Sequence, residues 1–517
     1  YERLEHRNPE YGIDYFNMEI GNISANLKDF AVEKGVVWAT VTRLSARERS
    51  GFVFDNLSTY FLVNRGDIIL KELVADTQES HIYVPDFIID GKDWAEYKDY
   101  INEVDMRGRV EHSSLSTNDL GYFAPGVRDW NLTIYDATGE FEGVVSDFEA
   151  YVSQAKVGNH TIVEADAHII GMPEWRDAEY IIGVKGLHTT ASDVELFMRS
   201  VTGREPHDKV KSIIRNLRTV DARGTFGGEL YSFRTVGNIT TEQGNISADV
   251  TMNRLGGGRH ALSGSVKTDN LHLGNILAIN KLGTLDSEIS ATGSVGTGGV
   301  ISDVDIHISD FGFGNKRFYD INAQGNINGD QYLANVVSND EKLSFDLTSS
   351  IDLGAHIPSY EVMLNLRNAD LHAIGINKRD SISKVSLLMG LDIDGHTLDD
   401  MDGTISVANM HYTYPNGEIQ SNRLSAEIRG DDDMKDIEIK SDFADIEFQS
   451  RANYREIADY IFNALKRYVP LLYDNDTSTS TASNGALSPT TYDYSMLMVH
   501  THEELNELLD AVVEGML

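Results

Sequence analysis

Leu343-Ser344-Phe345-Asp346-Leu347-Thr348-Ser349-Ser350-Ile351-Asp352-Leu353 is the stretch whose reading decides the fold. Its even positions are polar. Its odd positions, Leu343, Phe345, Leu347, Ile351 and Leu353, are apolar, and only Ser349 interrupts the row. A strand turns successive side chains to opposite faces, so this segment has one greasy and one wet face. The same alternation returns at Val385, Leu387, Met389, Leu391 and Ile393. It is found again at Ile246, Ala248, Val250 and Met252, and at Val304, Ile306 and Ile308. The chain therefore reads as many strands laid side by side, and the question becomes what covers the greasy face.

The bulk numbers narrow the classes. Lys and Arg number 44 against 81 Asp and Glu, a net charge of −37. Phosphate binding needs a basic footprint, so nucleic acid is excluded as a partner. Electrostatic adhesion to an anionic membrane is disfavoured for the same reason. The chain has no cysteine, which removes disulfides, thiolate metal sites and thiol nucleophiles. No apolar run approaches the roughly 20 residues that span a bilayer. The first residue is Tyr1 rather than Met, and the last are Gly515, Met516 and Leu517, as in a piece of a longer protein.

Residues 1–15 read as an irregular lead-in. Strands then follow one another: Ile23/Ala25/Leu27, Val37 to Leu44, Phe52/Phe54, Tyr60–Val63 and Ile68–Leu73, with Asn64-Arg65-Gly66-Asp67 as a hairpin turn. Residues 92–103, with Trp94, Tyr97, Tyr100 and Ile101, read as a short helix. A polar step ending in an apolar residue recurs at Asn118-Asp119-Leu120, Ser192-Asp193-Val194, Asp269-Asn270-Leu271 and Asn368-Ala369-Asp370-Leu371. A degenerate copy is His502-Glu503-Glu504-Leu505. These steps divide the chain into strand groups at 16–190, 191–290 and 291–454. Residues 455–473 form an amphipathic helix by spacing (Ile457, Tyr460, Ile461, Leu465, Tyr468, Leu472). Residues 474–492 are a Ser/Thr-rich loop. Residues 493–517 begin a further repeat, with a short helix over Glu503–Val513.

Candidate chemistry is thin. Asp392, Asp394, Asp399, Asp400 and Asp402 lie near Gly395 and Gly403, but a calcium loop of the EF-hand type needs a glutamate at its twelfth position, and none is there. They read as a solvated hairpin, as do Asp431, Asp432 and Asp433. His500 and His502 are two apart on a strand, with no distant partner for a metal. Gly256-Gly257-Gly258 precedes a strand rather than a helix, which makes it a turn and not a phosphate cradle. No nucleophile elbow or P-loop lysine is present. The expectation is a non-enzyme without cofactor or metal.

Alternating strands usually bury the greasy face against a second sheet. Here the strands are many and continuous, and the apolar rows change little over hundreds of residues. A long sheet curled into a half-pipe suits that pattern, with the apolar trough filled by a ligand. About 30 strands at roughly 4.8 Å would make a trough on the order of 140 Å long.

Three stretches resemble a known family. They are Ser265–Leu277 with Leu282–Leu285 and Ser287–Gly293; Asp303–Ile308 through Tyr319–Gly325; and Leu364–Leu371 with Leu398–Val407. They are similar to the AsmA-like repeats of the translocation and assembly module B (TamB) proteins of Gram-negative envelopes, and the opening stretch Leu44–Phe52 is similar too. The likeness covers about residues 15–450 and part of 495–517, and it lies in the order of the motifs. It implies a mainly β fold: an elongated, curled antiparallel sheet (a β-taco) with a few short amphipathic helices. It also implies a periplasmic location, with an inner-membrane anchor and an outer-membrane barrel partner engaged by regions outside this chain. The implied role is phospholipid transfer between membranes, support of outer-membrane protein assembly, or both, by a monomer. The lining expected on this reading comprises the residues of the four rows above, Ala248 excepted. Two alternatives stand beside it: a scaffold or chaperone for outer-membrane β-barrels, and an adhesin of stacked sandwiches.

Overall fold

The computed structural model describes residues 12–13, 19–123, 125–397, 400–430, 434–451 and 495–501. The fold is mainly β, with antiparallel strands and a few short helices. The chain divides into two compact units, Tyr1–Glu288 and Ile289–Leu517.

In the first unit fourteen strands run from Ile20–Glu33 to Arg259–His272. Each consecutive pair among them is hydrogen-bonded antiparallel, so the sheet is a meander. It stays open: among the described strands, Ile20–Glu33 pairs only with Val36–Glu48. The second unit repeats the plan from Gly299–Phe313 to Ser495–Thr501. One branch breaks the simple order. The long strand Asp402–Tyr414 is served by two short ones, Gly417–Ser421 along one half and Leu424–Gly430 along the other.

Bulges recur along the first unit, at Val41/Leu44, Val110/Ser113, Tyr135/Thr138 and Val184/Leu187. Several place a non-glycine residue at positive φ, such as His112 at 44° and Asp136 at 51°. A bulge bends its strand and deepens the local twist, and bulges in neighbouring strands bend the sheet together. Each bulge also moves the apolar row from one parity to the other. Tyr180, Ile182 and Val184 share a face with Leu187 and Thr189 only because an extra residue intervenes.

Close approach to glycine fits large side chains into the sheet surface. Gly108 lies between Phe87 and Phe141, which meet edge to face at 5.7 Å. A Cβ at Gly108 would stand 2.8 Å from the Phe141 ring, so the aromatic covers backbone that a side chain would otherwise occupy.

The recurring polar steps act at the sheet edges, and in two different ways. Asp119 is buried and accepts the hydroxyls of Thr77 (2.5 Å) and Ser80 (2.7 Å) and the amide of Glu79 (3.0 Å), closing the hairpin at 77–81. Asp193 does the same for the turn at 158–161. The third and fourth steps bury Leu271 and turn Asp370 onto the amide of Ala373. Two further edge carboxylates work in the same way, and one of them, in Ser441-Asp442-Phe443, carries a step of the same form. Asp340 accepts from the amides of Tyr319 and Lys342, and Asp442 from those of Asn422 and Arg423.

Several expectations need correction. Phe54 and Tyr60–Val63 belong to one strand, Val53–Asn64, with Phe52 just before it, because bulges let a single strand carry two apolar parities. Short helices are expected within 191–290, and one of them is Asp208–Leu217, whose Val210, Ile213, Ile214 and Leu217 repeat at helical spacing among charges. The helix at 92–103 is a 3-10 turn, Glu96–Asp99, running into one α-turn, Tyr100–Glu103. The helices expected at 455–473 and Glu503–Val513, the loop at 474–492, Asp399, Asp431–Asp433 and His502 lie outside the described residues.

Candidate functional site

In antiparallel sheets residues directly opposite each other share a face, so register shows which side chains meet. In the second unit Leu347 is opposite Val336 and Leu364, Leu364 is opposite Met389, and Met389 is opposite Val407. Val336 is opposite Ala323, which is opposite Ile306. Three of the four rows read from the sequence thus lie on one face of one sheet. A neighbouring row runs Ile308, Ile321, Ser338, Phe345, Leu366, Leu387. The next runs Val304, Gly325, Ala334, Ser349, Val362, Leu391, Ile405. No charged side chain stands in these three rows. The Ser338 hydroxyl, a polar interruption, donates to the carbonyl of Leu343 at 2.6 Å.

Ile351 is opposite Tyr332 and Tyr360, and Tyr360 is opposite Ile393, which makes a fourth row. Leu343 and Val385 reach the same face through Ala369, opposite both. Leu353 lies one residue past its strand and is exposed.

The degree of cover is the informative property. Among the sixteen residues expected to line the face, only Ile393 is buried; Leu353 is exposed and the other fourteen are half-buried. The inner face of a sandwich is buried by its partner sheet. This face is shielded by its own neighbours and remains partly open.

The first unit carries its own apolar face. Met252 is opposite Phe233 and Leu262, Val250 is opposite Thr235 and Gly264, and Ile246 is opposite Ile239 and Thr268. The Met252 row continues back through Phe233, Gly228, Tyr180, Ile169 and Phe148. It passes Gly143 and Met106 to Ile89, Ile68, Val63 and Val37. Every strand from Val36–Glu48 to Arg259–His272 contributes one residue. Sequence reading placed Ile246, Val250 and Met252 in the lining but not the residues before them, although a signal existed: Val63 and Ile68, like Ile169 and Tyr180, flank the turns at matched distance.

The opposite face is wet and cross-linked. Asp303 accepts from Asn326 at 2.7 Å, Asp305 accepts from Gln324 at 2.9 Å, and His307 meets Asn322 at 2.8 Å. Arg234 and Asp249 form a bidentate pair, which holds the Asp249 carboxyl below the usual carboxylate range. Lys156 and His112 both bond Asp136, at 2.6 and 2.7 Å, and hold its pKa at about 2. A cleft of about 830 Å³ opens among Gln154, His188, Asp221, Arg223, Asn238 and Thr240, with His188 2.8 Å from Asp221. A few large apolar side chains also project from this face; Met363 is 71% exposed.

The helix Ala191–Thr202 roofs part of the first unit's apolar face. Val194, Leu196, Phe197 and Met198 stand over Val157, Val163 and Leu187, and together they line a partly open pocket of about 250 Å³.

Among the described residues no group of three or more His, Asp or Glu is placed to hold a metal ion. Asp394 and Asp402 face each other across the strands Lys384–Asp394 and Asp402–Tyr414, and Asp400 caps the turn by accepting the amides of His396 and Thr397. His500 is exposed on its strand, opposite Asp445. Gly256, Gly257 and Gly258, all at positive φ, make the hairpin between Gly244–Gly256 and Arg259–His272.

No family model, curated protein or solved structure matches the chain.

Proposed function

We propose that the apolar face binds lipid acyl chains and passes phospholipid along its length, as part of a TamB-like protein of the periplasm. The observation that carries this reading is the register-matched apolar face, half-buried and free of charge over its central rows. Hydrocarbon leaving a bilayer costs about 25 cal/mol for each Å² wetted, and a face of this kind offsets most of that cost. Its rows repeat similar residues strand after strand, so no position holds a chain much more tightly than the next. Near-equal sites favour sliding over trapping, and no nucleotide-driven step is required.

Mass spectrometry of an organic extract of the purified protein, against a matched soluble control, tests the reading. Phospholipid recovered at several molecules per chain is the expected result. A clean extract from stable protein counts against it.

One observation favours a second reading, a scaffold for outer-membrane β-barrel proteins. The strand Ile20–Glu33 is exposed along nearly all its length, with Ile23 and Phe30 each 62% exposed. An open edge with apolar side chains suits strand addition by another chain. Recovery of an unfolded barrel protein, lost when prolines are placed in Ile20–Glu33, would favour this reading over lipid.

A further inference from the structure

We infer that the cavity beneath the helix Ala191–Thr202 is a separate station that holds the methyl end of a single acyl chain. The inference rests on the reading that the sheet's apolar face carries hydrocarbon, and it adds a defined binding site to that face. Val163 and Leu187 are opposite each other and form the cavity floor. Each also belongs to the apolar face, through Ala155 and Ala222. The pocket floor is therefore continuous with the open apolar face, and the Thr161 and Thr189 hydroxyls that also line it bond each other at 2.7 Å.

Size and chemistry select the occupant. A void of about 250 Å³ is too small for a phospholipid or a partner helix. It exceeds the roughly 150 Å³ apolar cavity that holds benzene. Leu132, Val194 and Met198 complete an apolar wall. The one carboxylate at its margin, Asp193, is already committed. It accepts from the amides of His160 (2.7 Å) and Asn159 (3.2 Å) and from the Thr161 hydroxyl (2.9 Å). A headgroup would find no free polar partner there, whereas hydrocarbon needs none. Phe197, half exposed, and Trp130 stand at the margin with ring centroids 6.5 Å apart. Between the helix and the sheet a chain is covered on two sides, so this site holds it longer than an uncovered row of the sheet does.

The test is photolabelling of the whole chain with palmitic acid bearing a diazirine at its methyl end, mapped by peptide mass spectrometry. The expected result is label on the peptide containing Phe197 and Met198. In Val163→Phe, which fills the floor, that label falls roughly tenfold relative to label on Leu343–Asp352, as expected for losing about two buried methylenes. Label on Leu343–Asp352 but none on the helix overturns the station and leaves the open face as the binding surface. Helix label unchanged by both Val163→Phe and the milder Val194→Leu also overturns it, and places the probe on the helix's outer side. Absence of label anywhere overturns the reading of the apolar face itself.

Discussion

The Asp193 carboxylate accepts the amide of His160 at 2.7 Å, tying the first turn of the helix Ala191–Thr202 to a hairpin more than thirty residues earlier. Burial raises its pKa, but the amides of His160 and Asn159 and the Thr161 hydroxyl outweigh that and hold it low. The folded pKa therefore lies below the unfolded one. The ionised carboxylate contributes stability above about pH 4, and that contribution is lost as pH falls through the folded value. Asp193→Ala leaves buried donors unsatisfied and is expected to cost about 2–3 kcal/mol at neutral pH. The deficit relative to wild type should shrink as urea melts are taken below pH 4. A deficit independent of pH would show that shape, not charge, matters at this position.

Asp136 offers a direct titration. With Lys156 and His112 both bonded to it, its pKa is about 2. Carboxyl-carbon NMR should find that midpoint, and Lys156→Met should move it up toward the ordinary range. A wild-type midpoint near 4 would mean that Lys156 and His112 do not bond the carboxylate in solution.

The two faces of one strand should respond oppositely to the same charge. Leu364 stands in the apolar row between Leu347 and Met389, and its neighbour Met363 projects from the other face. Asp at Leu364, or at Phe345, Leu387 and Met389 together, should abolish lipid recovery while circular dichroism still reports a folded sheet. Met363→Asp should leave recovery unchanged. Equal loss from both faces would remove the face-specific argument.

Gly108 tests the packing of aromatics over bare backbone. Gly108→Val collides with the Phe141 ring and is expected to cost about 1–3 kcal/mol, measured as a lower urea midpoint. Combining it with Phe141→Leu should recover part of the loss. No recovery would mean that the strain falls on the backbone instead.

Much of this protein was legible in its sequence, because alternation is local. Leu343, Phe345 and Leu347 announce one greasy face whatever lies beside them, and a strand's two-residue period needs no partner to define it. Alternation, scarce proline and short turns were enough for an open antiparallel sheet. What covers the face was not legible, since cover depends on strands and helices distant in the chain. Nor was the union of Val304–Ile308, Leu343–Ile351 and Val385–Ile393 into common rows, because register is set by turns and bulges between them. A bulge adds one residue and reverses parity, so Val184 and Leu187 share a face that strict alternation would deny them. Asp119 and Asp193 read as polar steps in the sequence. Only the tertiary structure shows them folded back onto hairpins more than thirty residues earlier, where burial gives their hydrogen bonds weight.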